Sequence, residues 1–202
     1  MHPIPVVHGL TVGELAYMIN GEGWLKNGVK ADLKVIQVAY YHHNRPYALP
    51  TKPSPNLPTQ ASIYLYPSLC LFEGTPISIG RGTTKPFQIV GHPTMKNAPF
   101  SFTPKSMSGA KKPKLKGQKC VGYDLHYFSI AYLKEKGEIN LFWLIDSYQN
   151  FKEKEMFFSN MFTLLAGTDK LQKQIEAGKS SSEIKATWKK DLIDFQSIRK
   201  KY

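Results

Sequence analysis

In the stretch "FEGTPISIGRGTTKPF" (residues 72–87), one arginine stands between two glycines and two threonines follow. Gly80 and Gly82 permit positive φ and let main-chain amides approach a ligand closely. Arg81 brings a planar fork of donors that fits a carboxylate, and Thr83 and Thr84 add hydroxyls. No GKS or GKT follows and there is no GxGxxG, so the stretch is not a phosphate-binding loop. The alternative is a structural turn with an arginine on its surface. Glu73, beside this loop, also has two readings. Half-buried at the end of an apolar segment, its carboxyl acquires the raised pKa that acid catalysis requires. Paired with Arg81, it only braces the loop.

Asn56 sits in "PSPNLPT", where prolines stiffen the chain and lower the entropy cost of offering an amide to a ligand. The same prolines also suit a plain crossing segment. His8 lies between an extended segment and the first helix, and is either a satisfied structural histidine or a contact for sugar or proton. His42 and His43 are adjacent, but no HExxH occurs, and Cys70 and Cys120 have no metal-ligand spacing with each other or with histidine. No metal site and no cofactor are expected. Cys70 in "SLCLF" reads as a small buried apolar group, and a Cys70–Cys120 disulfide stays open.

These residues need elements to hold them. "LTVGELAYMINGEGWL" has helical spacing, with Thr11 and Glu14 as a capping box and Gly21 and Gly23 as the stop. "DLKVIQVAYY" is apolar and β-branched and predicts a strand. The proline-rich run that follows is a loop long enough to suggest function. "SIYLYPSLCLF" reads as a short helix broken near Pro67, with a strand as the alternative, while "FQIVGHP" and "KCVGYDLHYF" read as strands. "EINLFWLIDSYQNF" has helical length and stepping. Near the C-terminus, Asp169 caps a helix closed by Gly178, and Ser180 with Glu183 opens another. Along that last helix Ile184, Trp188, Leu192, Phe195 and Ile198 form a core-packing stripe. The expected class is α+β: a mixed or antiparallel sheet with flanking helices and a C-terminal helical segment.

At 202 residues the chain can bury a sizeable core. No apolar run approaches the length that spans a bilayer, and the N-terminus lacks the pattern of a secretory signal. The net charge of +12 is uneven: about +2 over residues 1–60, about +7 over 61–130 and about +3 over 131–202. The middle excess sits largely in "KSMSGAKKPKLKGQK" (residues 105–119), which reads as an exposed, flexible basic loop. It is a solvated loop without a partner, or it favours polyanions: nucleic acid, acidic lipid, or cell-wall polymers. No reading helix or aromatic platform accompanies the lysines, so a nucleic-acid partner is not expected.

The strings "PIPVVHGLTVGELAYMINGE", "PSPNLPT", "LFEGTPISIGRGTTKPFQIVGHP" and "LLAGTDKLQKQIEAGKSSSEIKATWKKDLIDFQSIRKKY" occur in this order. Together they closely resemble the NamZ-like exo-β-N-acetylmuramidases of bacterial peptidoglycan turnover, across essentially the whole chain. The resemblance implies removal of β-1,4-linked N-acetylmuramic acid (MurNAc) from the non-reducing ends of glycans. Its substrates are peptidoglycan fragments and MurNAc-terminated saccharides, and its setting is extracytoplasmic. It also implies a single C-terminal family domain over residues 1–202, with an upstream Rossmann-like domain missing. The active site then lies in the cleft between the two parts, and this chain alone is catalytically incomplete. Glycoside hydrolysis ordinarily uses two carboxyl groups. Of Glu14, Glu22 and Glu73 in the matching blocks, Glu73 is the catalytic candidate. The lactyl carboxylate of MurNAc suits Arg81, with Thr83, Thr84 and Asn56 reaching sugar hydroxyls or the acetamido group. A non-catalytic, basic wall-binding module is the alternative.

Overall fold

Local capping dictates where the first helix starts. In the computed structural model, which describes residues 2, 4–96, 98–128 and 130–202 (residues 131 and 132 by backbone alone), α1 (Val12–Gly21) opens on the expected capping box. The Glu14 N–H donates to Thr11 Oγ1 at 3.2 Å and the Thr11 N–H donates to Glu14 Oε2 at 2.7 Å. The chain forms two compact units: Met1–Tyr47 with Lys185–Tyr202, and Ala48–Ile184.

In the first unit, the segment after α1 departs from expectation. "DLKVIQVAYY" forms no strand, and Ile36, Val38 and Tyr40 are 78%, 64% and 93% exposed. β-Branched residues favour a strand only where a neighbouring strand supplies ladder bonds and packing, and among the described residues of this unit none does. The segment is tied to α1 by side chains instead. Asn20 acts as a peptide mimic, accepting from the Ala31 N–H at 2.8 Å and donating to the Ala31 carbonyl at 3.1 Å. Lys30 donates to the Asn20 and Gly21 carbonyls at the helix end, where cations complement the dipole. At the other end of the unit, α8 (Lys189–Arg199) brings the Arg199 guanidinium to the Gly9 carbonyl at 2.6 Å and Tyr202 OH to Glu22 at 2.9 Å.

The Glu14 carboxylate also meets His43 Nε2 at 2.8 Å. Burial pushes its pKa up, but the bonds from His43 and Thr11 outweigh this and hold it below the ordinary glutamate range. A depressed folded-state pKa stabilises above the unfolded-state value and is lost as pH falls through the folded one. Urea unfolding should therefore show the stability gap between wild type and Glu14→Gln shrinking below about pH 4. A gap that stays constant with pH contradicts the assignment.

The second unit holds the sheet. β1 (Ile89–His92), β2 (Phe100–Phe102) and β3 (Cys120–Asp124) pair antiparallel in the order β1-β3-β2, with Gly91 opposite Gly122. The expected α+β class holds, and the sheet is antiparallel. α2 (Gln60–Leu69) starts at a Thr59–Ser62 box and runs through Pro67 before tightening into a 3₁₀ turn, Cys70–Gly74. Pro67 withholds one helix donor, and the tighter turn follows three residues later. The helices α3 (Ile130–Lys136), α4 (Phe142–Asn150), α5 (Asn160–Ala166), α6 (Lys170–Glu176) and α7 (Ser181–Ala186) follow the sheet. Phe72, Phe157, Phe162, Leu65, Leu69 and Leu144 are fully buried. Ser159 anchors the start of α5 to the 3₁₀ turn, its N–H and hydroxyl both donating to the Gly74 carbonyl, at 2.9 and 3.0 Å.

Two C-terminal details differ from expectation. Asp169 makes no side-chain cap and pairs with Lys173 one turn on. The single long stripe divides into α7 and α8 at Thr187–Trp188; Ile184 and Phe195 are buried, but Leu192 is 40% exposed. The Ser180–Glu183 box forms as expected, with the Glu183 N–H donating to Ser180 Oγ at 3.3 Å and the Ser180 N–H to Glu183 Oε2 at 2.8 Å. Cys70 and Cys120 are both buried free thiols. Among the described residues no helix is long and apolar enough to cross a membrane.

Candidate functional site

The second unit brings Glu73, Arg81 and Asn56 to the rim of one hollow of about 230 Å³, with Ser54, Leu57, Tyr66 and Phe87 completing its lining. That is below the roughly 300–1,000 Å³ of drug-sized sites and suits a single small ring.

Each wall has a local cause. Glu73 rides on the 3₁₀ turn at the end of α2. Arg81 sits at the tip of a turn whose glycines have φ of +77° (Gly80) and +83° (Gly82). A Cβ on Gly80 would lie 2.6 Å from the Lys85 carbonyl oxygen, and one on Gly82 the same distance from the Lys105 carbonyl oxygen. The Thr83 hydroxyl builds this turn, donating to the Gly80 carbonyl at 2.7 Å and accepting from the Lys85 N–H at 3.0 Å. Lys85 then anchors the turn to β3 through Asp124 at 2.6 Å. Asn56 is held by its amide, which donates to the Gly109 carbonyl at 3.2 Å, and its side-chain oxygen makes no hydrogen bond among the described residues.

Arg81 Nη1 meets Glu73 Oε1 at 3.2 Å, with the side chains 43% and 31% exposed. The pair is therefore hydrated and monodentate, and the other guanidinium N–H groups have no partner among the described residues. Such a guanidinium has N–H donors left to engage a second carboxylate, which would displace the water on them. The Glu73 charge reaches its neighbours. Burial pushes the Cys70 thiol up to about 11, with Glu73 adding to the rise, so that thiol is unreactive near neutral pH. Burial also raises the Tyr66 phenol, with Cys70 and Glu73 contributing.

Sequence reading missed the aromatic wall. Tyr66 and Phe87 pack at 5.0 Å between ring centroids, tilted by 50°. Phe87 has φ of 55°, a left-handed conformation that costs a bulky residue about 1–2 kcal/mol. It is held there by its N–H on the Ile79 carbonyl at 2.8 Å and by the ring contact with Tyr66. Strain of this kind concentrates at ligand sites. The signal in the sequence was faint: Tyr66 shares a helix with core residues, and Phe87 reads as the start of a strand.

Sequence reading also missed Lys114. From within the basic segment its ammonium donates to the Phe72 and Ile77 carbonyls, both at 3.3 Å, and to the Thr75 carbonyl, bracketing Glu73. Desolvation lowers its pKa, opposed by Glu73 and reinforced by Arg81. Of the other expected site residues, Thr83 and the exposed Thr84 do not line the hollow. His8 belongs to the first unit, where its Nδ1 accepts from the Leu10 N–H at 3.0 Å. Among the described residues no three His, Cys, Asp or Glu side chains gather as a metal site.

Comparison with known proteins matches residues 64–202 to the family model "Exo-beta-N-acetylmuramidase NamZ, C-terminal" and residues 1–61 to its N-terminal counterpart. The expectation that the N-terminal part is absent is thereby corrected: the first 61 residues carry sequence of that part. A curated relative, peptidoglycan β-N-acetylmuramidase NamZ of Bacillus subtilis, is 34% identical over the full chain, which spans 51% of that protein. A crystal structure of a DUF1343 family protein from Bacteroides fragilis is 52% identical, with a TM-score of 0.96 over all of this chain and 57% of its own. A second DUF1343 protein from the same organism, 22% identical with a TM-score of 0.67 over 98% of this chain and 57% of its own, shares the fold.

Proposed function

Because the chain belongs to the exo-β-N-acetylmuramidase NamZ family, we propose that it forms the MurNAc-recognising part of a peptidoglycan exo-β-N-acetylmuramidase. The observation that carries this reading is the convergence of Arg81, Glu73 and Asn56 with the Tyr66–Phe87 wall on one small hollow. A terminal MurNAc has a ring face for Tyr66, which the buried Phe87 backs, an acetamido group for Asn56, and a lactyl carboxylate for the open side of Arg81. Plain N-acetylglucosamine (GlcNAc) lacks the carboxylate. In this reading Glu73, which lines the hollow and is 31% exposed beside its Arg81 partner, is the group proposed to exchange a proton with the glycosidic oxygen, and the setting is extracytoplasmic because the substrate is.

One observation favours a second reading. Glu73 is the only carboxylate among the hollow's lining residues, whereas hydrolysis ordinarily needs two. In that reading the chain binds MurNAc ends without cleaving them.

A chromogenic β-MurNAc glycoside separates the two. Release by the wild type that is lost in Glu73→Gln, with affinity kept, supports the enzyme. Binding of MurNAc over GlcNAc without release, both by this chain alone and by it joined to the remaining half of a full-length relative, supports the binding module. Equal affinity for the two sugars removes both readings.

A further inference from the structure

Between Glu73 and Asp124 the chain has no acidic residue, while basic ones recur from Arg81 to Lys119. An ordinary charge run is a solvated face, but this one is fastened to the hollow. It closes on itself through the Gly117 N–H on the Pro104 carbonyl at 2.8 Å and an antiparallel bridge between Met107 and Ala110. At one rim the Lys105 N–H donates to the Gly82 carbonyl at 2.8 Å, beside Arg81. At the other the Gly109 carbonyl takes the Asn56 amide. From within the segment, Lys114 donates to the carbonyls around Glu73.

Lys105, Lys111, Lys112, Lys116 and Lys119 are exposed, and their ammoniums have no carboxylate partner among the described residues. Held cations without counter-charges raise the local potential and concentrate polyanions. No aromatic residue interleaves these lysines, so a base-stacking platform for nucleic acid is missing from the segment. The hollow has room for one end sugar, and a polymer entering by its end must leave across the rim.

We propose that the lysine-rich segment at residues 105–119 is a subsite for the acidic glycan strand beyond the terminal sugar, its lysines meeting the strand's recurring carboxylates. The proposal rests on the hollow being the MurNAc site, and deepens that reading: the hollow selects the end group while the segment selects a polyanionic strand behind it.

The test is equilibrium binding by the full chain, wild type against the combined Lys111→Gln, Lys112→Gln, Lys116→Gln, Lys119→Gln variant. Lys114 stays intact because it holds the Glu73 turn. The probes are free MurNAc, a peptide-free MurNAc-terminated glycan of several repeats, and a single-stranded oligonucleotide of equal charge. Glycan affinity should fall about tenfold or more in the variant, free MurNAc affinity should stay, and the salt dependence of glycan binding should flatten. Unchanged glycan affinity overturns the proposal. So does a parallel loss for free MurNAc, which would make the lysines part of the hollow, or tighter binding of the oligonucleotide than of the glycan. Arg81→Ala in the same series reports on the hollow separately: if it leaves MurNAc affinity intact while the lysine variant still loses glycan, the hollow reading fails and the cationic surface stands.

Discussion

Arg81→Ala is expected to weaken MurNAc binding about tenfold or more while changing GlcNAc affinity by no more than about twofold. A charge-assisted hydrogen bond contributes about 1.5–3 kcal/mol, and a guanidinium that is 43% exposed belongs at the lower end of that range. The substitution leaves Glu73 without its partner, but that carboxylate is itself 31% exposed and stays hydrated, so folding should be little affected. Selective loss follows from chemistry: only MurNAc offers the group that the fork engages. Arg81→Lys should recover little, because an ammonium is a point charge without the planar geometry for a carboxylate. Calorimetric titration with both sugars checks this. A MurNAc-to-GlcNAc preference that survives in Arg81→Ala means that some other group reads the lactyl arm.

Gly82→Ala should destabilise the protein by about 3–4 kcal/mol, measured by chemical denaturation. Two effects add. A φ of +83° strains any L-residue with a side chain, and the new methyl would lie 2.6 Å from the Lys105 carbonyl oxygen and 2.5 Å from Pro113 Cγ. The segments cannot separate cheaply, since the Lys105 N–H is bonded to the Gly82 carbonyl at 2.8 Å. Gly117→Ala is the matched control: it lies in the basic segment itself, its φ is +78°, and nothing is within 4 Å of the added carbon. It should cost only the conformational strain, about 1 kcal/mol. Equal losses in the two variants refute the claim that the basic segment is packed against the arginine turn. Any Gly82→Ala protein that folds should also bind MurNAc more weakly, because relieving the overlap moves Arg81.

These two expectations rest on different levels of information. The turn around Arg81 was legible because its determinants are local: two glycines and a threonine hydroxyl acting within a few residues. The capping boxes at Thr11 and Ser180 were legible for the same reason, each closing over three residues. The proximity of Glu73 to Arg81 was a fair expectation across eight residues. The basic run was visible as charge, but charge says nothing about attachment. Its ties to Asn56, 53 residues away, and of Lys114 to Phe72, 42 residues away, arise only once the chain folds back.

By itself, then, the sequence determined the helices opened by the Thr11 and Ser180 boxes, two of the strands, the arginine turn and the family. Those depend on contacts between near neighbours or on the order of whole blocks. The tertiary structure alone decided that "DLKVIQVAYY" stays unpaired, that Tyr66 and Phe87 form a wall, and that a lysine segment clamps the hollow. The physical reason is that strand pairing, aromatic contact and ammonium-to-carbonyl bonds each need a partner brought from elsewhere in the chain. No local pattern of residue types records where that partner will be.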